Sequence, residues 1–198
     1  VLFCPPTMIP LLPVAEALLN PGMDIWQHLL AHVLPSAVAD TLLLMIGVAF
    51  GVVIIGVSLA GLVAMTEFPG RRFFEWALLL PLAMPGYVLA VAFLGLFDYS
   101  GPVAGALRSV GIAELGFRGR TGLTLVLTAS LYPYVYLVAR QAFASTGLRT
   151  VEAARGLGHS PMSAFLRAVL PQGLPWIAAG TSLALMETLA DFGTVAAF

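Results

Sequence analysis

The chain has 198 residues, of which 60% are hydrophobic and only 10% charged, with a mean hydropathy of +0.97. That balance excludes an ordinary water-soluble domain, where about a quarter of the residues carry charge. The formal net charge is −1 and every basic residue is an arginine, so no basic tract exists for nucleic acid or a strongly anionic surface, and nucleic-acid partners are excluded. The single cysteine, Cys4, rules out an internal disulfide or a cysteine-based metal site and reads as a small apolar filler.

Judged against the roughly 20 apolar residues that a bilayer core requires, the chain reads as one partial and four fuller spans in a single all-α, polytopic domain over 1–198. Residues 1–19 are apolar but broken by Pro5, Pro6, Pro10 and Pro13. They begin without a methionine or a charged segment, so they make a poor signal peptide and read as a first span cut at its beginning. Residues 20–40 form a more polar connector, with an amphipathic piece around Trp26, Leu29, Leu30 and Val33 expected at an interface.

Spans two to four occupy 41–145. The first of them, about Thr41 to Met65, carries Gly47, Gly51, Gly56 and Ala60 at packing spacing. In lipid, where apolar burial no longer drives helix association, such residues let backbones approach. The next, about Phe73 to Phe97, should kink at Pro81, Pro85 and Gly86. A glycine-rich loop with room for a short helix follows over 98–121, and then a span from about Gly122 to Ala144, with Pro133 between Tyr132 and Tyr134. The last span, within 172–198, is still apolar at Phe198, so both ends read as fragment ends.

Between the last two spans lies a polar break, residues 146–171. Thr150 is placed to cap a first short helix, with Glu152 in its opening turn, where a carboxylate favours the positive end of the helix dipole. Gly158 suits the left-handed position that ends a helix, Ser160 can cap the next, and Pro161 fits its first turn. Phe165, Leu166 and Val169 give the second helix an apolar stripe, while Arg149, Arg155, His159 and Arg167 keep the break wet. The expected result is a stiff helical elbow, a docking surface on a membrane protein. With the elbow in the cytoplasm, Arg71 and Arg72 share its side with Arg149, Arg155 and Arg167, against Arg108, Arg118 and Arg120 opposite, a modest excess that agrees with this orientation.

Glu152, Ala153, Ala154, Gly158, Leu170 and Pro171 stand in the register of the EAA loop, and residues 152–171 resemble that segment of ABC importer permeases, where the ATPase docks. The family's aliphatic position before Leu-Pro is Ala168 here, with Val169 next, a mild departure. The run from Leu185 to Val195, LMETLADFGTV, resembles the end of the first half of ferric-iron importer permeases, and the likeness extends from about Trp26 to Phe198.

The resemblance implies a bacterial inner-membrane permease, the first of two halves, with several partners besides lipid. These are ATPase subunits that bind ATP, a periplasmic substrate-binding protein docking near Trp26 and 98–120, and a second permease half. It implies no cofactor in this chain. The residues agree, because a phosphate-cradling loop of the Walker type needs a Gly-Lys pair and the chain has no lysine. Movement of the ATPase would pass through the elbow as a rigid body. Related permeases carry thiamine, polyamines, sulfate and other small solutes.

Glu187 and Asp191, four residues apart on one expected helix face in an apolar setting, leave two readings open. They could touch a hard cation on its route, or they could pair with neighbouring helices and loops. His28 and His32 have helical metal-pair spacing but no evident third ligand and read as interfacial. Tyr132, Tyr134 and Tyr136 read as packing residues before path-lining ones, and Gly116, Gly119 and Gly122 as a turn-rich loop. A rival intramembrane serine protease, prompted by Ser58, lacks a histidine in any full span, and an ion-coupled secondary transporter leaves the elbow unexplained.

Overall fold

The computed structural model describes residues 27–97, 101–109 and 119–198. Cys4, the partial first span and the tip of the 98–121 loop lie outside the described residues. The described residues are helical, with no strand among them. In chain order they form α1 (Leu34–Met65), α2 (Arg71–Ala77), α3 (Gly86–Phe97), α4 (Pro102–Ser109), α5 (Arg120–Ala142), α6 (Leu148–Gly156), α7 (Pro161–Ala164), α8 (Leu170–Ala190) and α9 (Phe192–Ala197). The chain divides into two units, Val1–Leu43 and Leu44–Phe198.

In the first unit, a π turn at Leu29–Val33 leads into α1, so the helix begins well before the expected start near Thr41. Pro35 explains the wide turn. A proline lacks the N–H that an α-helix needs and pushes against the carbonyl four residues back. The turn opens, and Leu34 N–H bonds instead to the Leu29 carbonyl, five residues back. His28 and His32 stack with ring centroids 4.9 Å apart, and no third His, Cys, Asp or Glu among the described residues joins them.

The second unit is organised around α5. Val126, Leu127, Val135, Tyr136 and Ala139 on this helix are fully buried, which makes it the most enclosed of the set. The glycines of α1 explain how the two backbones approach. A Cβ on Gly51 would lie 2.6 Å from Thr128 Cγ2, and one on Gly56 would lie 2.8 Å from Val135 Cβ. The packing role expected of these small residues is therefore the role they have. α5 also receives α8, where Gly180 approaches Val135 and Val138 in the same way.

The stretch after α1 departs from a kinked span. It breaks, with α2 ending at Ala77, a 3-10 turn at Leu80–Ala83, and α3 starting at Gly86. Met84 is extended (φ −107°, ψ 129°) because the following Pro85 disfavours helical backbone at the residue before it. Tyr132 Oη of α5 donates to the Leu78 carbonyl at 2.9 Å, which satisfies one group in the irregular stretch. Glu75 anchors α2 to α5 by lying 3.4 Å from Arg140 Nη1, and within α2 it lies 3.5 Å from Arg71 Nε. These side chains are about a third exposed, so Glu75→Gln is expected to cost a measurable amount of up to about 1 kcal/mol, a fall in melting temperature of about 1–4 °C in detergent. A melting temperature equal to that of the unsubstituted protein would show that the charges do not anchor α2.

Among the described residues, three stretches are long and apolar enough to cross a membrane: Leu29–Met65, Gly86–Ser109 and Arg120–Ser145. The middle one runs over residues 98–100, which are not described. The 21 residues of α8 reach about 31 Å, a bilayer core's thickness, but are less apolar than these three.

Candidate functional site

The expected elbow exists, but it is assembled from the ends of two long helices. After α5 the backbone stays helical through a π turn at Phe143–Gly147 into α6, and Gly147 itself is helical (φ −65°, ψ −44°). Thr150 therefore sits inside a running helix and does not cap it, and Glu152 is not in an opening turn. The polar composition of 146–152 resembles a helix start, but the π turn lets the helix run on. On the far side, α7 passes through a second π turn, Phe165–Val169, straight into α8. Only the turn at 157–160 interrupts the two arms.

That turn has the geometry anticipated for it. Gly158 takes φ +87°, its N–H bonds to the Arg155 carbonyl at 2.9 Å, and His159 N–H bonds to the Ala154 carbonyl at 3.1 Å. This pair of bonds is the Schellman ending of a helix, which needs a left-handed residue at that position. Ser160 is extended and its side chain accepts from Ser163 N–H at 3.3 Å, capping α7, with Pro161 in the first turn. Glu152, Ala153, Arg155, Leu157 and Gly158 are exposed at the tip, and Leu157 and Met162 are 82% and 67% exposed. Val151 packs inward against the core. The tip thus presents one carboxylate, flanking arginines and bare apolar side chains on a rigidly terminated helix.

Leu170 packs partly into the core and Pro171 is exposed, so neither touches the tip. Their place in the pattern has a backbone cause. Leu170 N–H bonds to the Phe165 carbonyl, five residues back, so the π turn opens immediately before the proline. The same device precedes Pro35 at Leu29–Val33.

A second feature lies where two broken helices meet. A cavity of about 280 Å³ is lined by Pro81–Gly86 from the irregular stretch, Ser130, Leu131 and Tyr134 from α5, and Glu187 and Asp191. Asp191 is not the continuation of one helical face that its spacing from Glu187 suggested, because α8 ends at Ala190. Asp191 caps α9, its Oδ1 accepting from Thr194 N–H at 2.9 Å and its Oδ2 from Thr194 Oγ1 at 2.5 Å. Gly86 lets this carboxylate approach, since a Cβ there would run into Asp191 Oδ2. Both acids nevertheless border the cavity, and no arginine does. Of the three tyrosines, Tyr134 lines it, Tyr132 bonds to Leu78, and Tyr136 is buried in the core.

The comparisons with known proteins agree with this architecture. Residues 52–198 match the family described as the binding-protein-dependent transport system inner membrane component. A probable molybdenum ABC transporter permease protein of Haloferax volcanii is 32% identical over 80% of this chain and 55% of its own length. A probable sulfate transport system permease protein of Nephroselmis olivacea is 30% identical over 72% of this chain and 49% of its length. An Fe(3+)-transport system permease protein of Haemophilus influenzae is 30% identical over 79% of this chain and 28% of its length. The chain thus spans about half the length of the sulfate and molybdenum relatives, and less of the iron one. All-α build, apolar helices of membrane length and the family match over 52–198 together make this chain an integral membrane protein, and it belongs to the family of binding-protein-dependent transport system inner membrane components.

Proposed function

We propose that the chain is the permease part of an ATP-driven importer in the bacterial inner membrane, and that a separate ATPase docks on the tip formed by exposed Glu152, Ala153 and Gly158 with half-buried Ala154. The observation that carries this reading is α6 (Leu148–Gly156) with its Schellman ending at Gly158, which is exposed at its tip yet continuous with the most buried helix of the bundle. A push on the tip reaches the core through one helix. Leu170 and Pro171 serve the docking segment from below by shaping the start of α8. A soluble binding protein delivers cargo on the opposite face, and a second permease half completes the pathway.

The cargo in this reading is ferric iron. Glu187 and Asp191 at the cavity wall, with no arginine beside them, favour a cation over the oxyanions carried by sulfate or molybdenum permeases. Oxygen ligands suit a hard cation, and two carboxylates make a passing contact, not a resident metal centre. No group of three or more His, Cys, Asp or Glu stands together among the described residues.

Uptake into vesicles holding the complete permease, its ATPase and its binding protein tests the reading. Labelled ferric iron should enter only with ATP, and Glu152→Arg should reduce entry at least tenfold while the subunits stay folded. Uptake that ignores Glu152→Arg would remove the docking site. ATP-dependent entry of sulfate or molybdate in place of iron would keep the importer and overturn the cargo.

A further inference from the structure

The docking segment is separated from the membrane helices by two π turns that face each other. On the incoming arm the turn is Phe143–Gly147, between α5 and α6; on the outgoing arm it is Phe165–Val169, between α7 and α8. An aromatic residue opens each turn, and the two rings meet edge to face, with centroids 5.4 Å apart and planes at 77°. Phe143 is 1% exposed. Gly173 of α8 leaves the space it fills, since a Cβ on that glycine would lie 2.6 Å from the Phe143 ring. Gly61 of α1 admits the Phe165 ring in the same way, at 3.0 Å. A Cβ on Gly147 would sit 3.3 Å from both Val169 Cγ1 and Met65 Cε.

A π turn is a rare single-turn insertion in an α-helix that often marks a functional site, and sharp bends in long helices gather at such points. One π turn would bend one arm. Two at the same level, on antiparallel arms joined by a single rigid turn, define a line across which the whole tip can swing. Proline explains the second turn through Pro171, but no proline follows the first, as Leu148 to Ser160 contain none. Its presence opposite the second is therefore not a by-product of proline chemistry.

We propose that these opposed π turns are the hinge through which the tip bends against the membrane helices, and that Phe143 and Phe165 are the positioning residues that set its angle. The proposal rests on the docking reading above and replaces a rigid elbow with a jointed one. When the ATPase closes, the tip swings with it. The edge-to-face pair stays together through the swing, because one ring can pivot on the other without opening a cavity.

The test uses the complete transporter in vesicles, in a cysteine-free background, with paired spin labels at Met162→Cys and Leu137→Cys across the hinge. A reference pair at Leu137→Cys and Leu183→Cys lies wholly on the membrane side, and all three residues are exposed. Between nucleotide-free and ATP-bound states the first distance should change by several ångströms more than the second. Phe143→Ala should then lower uptake about tenfold while binding-protein-stimulated ATP hydrolysis persists, and Phe143→Tyr should restore the ratio. Phe143→Leu, which keeps the core filled, should show the same split if the alanine variant folds poorly. Equal changes in the two distances, or uptake and hydrolysis falling in proportion in the folded variants, would overturn the hinge. If Glu152→Arg still abolishes uptake in that case, docking stands and only the joint is lost.

Discussion

Gly180→Val should eliminate most of the folded protein. A Cβ at this position would lie 2.6 Å from Val138 Cγ2, 2.9 Å from Val135 Cα and 3.1 Å from the Tyr134 carbonyl. The first neighbour is a side chain that could rotate, but the other two are backbone atoms in the most buried helix. Relief requires α8 to move off α5. Overpacking of a core ordinarily costs about 1–3 kcal/mol, and a clash with backbone lies at or above the top of that range. The packing of α8 on α5 is the most extensive between any two helices of the second unit. Total stabilities are only about 5–15 kcal/mol, so prising that pair apart removes a large share of what holds the fold. The measurement is the monodisperse fraction after detergent extraction, set beside Gly95→Ala. No heavy atom lies within 4 Å of a Cβ at Gly95, so that variant should behave as the unsubstituted protein. Equal yields from the two variants would refute close α5–α8 packing as the basis of the fold.

Gly158→Val is expected to separate ATP hydrolysis from transport. Space is not the issue, because no atom lies within 4 Å of a Cβ at this glycine. The demand comes from φ +87°, where a residue with a Cβ is strained by about 1–2 kcal/mol and a β-branched one by more. The strain falls on two hydrogen bonds, Gly158 N–H to Arg155 and His159 N–H to Ala154, which fix the angle at which α6 gives way to α7. The tip should then present Glu152 at the wrong angle. Uptake per ATP consumed should fall about tenfold in vesicles of the complete transporter. Asn tolerates the left-handed region, so Gly158→Asn should retain most of the coupling. Gly156→Ala, beside it with open space and ordinary φ, should leave coupling intact. If all three variants behave alike, the turn's handedness has no part in coupling.

The tip is legible in the sequence because its signals are local. Gly158, Ser160 and Pro161 each act through their own backbone and that of residues within five positions, and the turn they imply is the turn observed. Thr150 misleads for an equally local reason, since a residue caps a helix only if the preceding backbone leaves the helix. Here Gly147 remains helical, and a π turn carries the arm through. Asp191 shows the converse. Its spacing from Glu187 suits one helical face, yet the helix stops one residue earlier because the Asp191 side chain finds Thr194 and begins a new turn.

Composition and short-range pattern alone established an all-α membrane protein, the small-residue face of α1 and the handed turn at the tip. Each follows from hydropathy, helical spacing or the φ of one glycine, which need no distant partner. Tertiary structure alone decided that Gly51 serves Thr128, that Gly180 serves Val135, and that Glu187 and Asp191 share a cavity wall with Pro81–Gly86. It also brought Phe143 against Phe165, 22 residues along the chain and on opposite arms. Those pairings depend on which helices lie side by side in three dimensions. In lipid that choice is made by close fit between surfaces of similar hydropathy, and hydropathy carries no address.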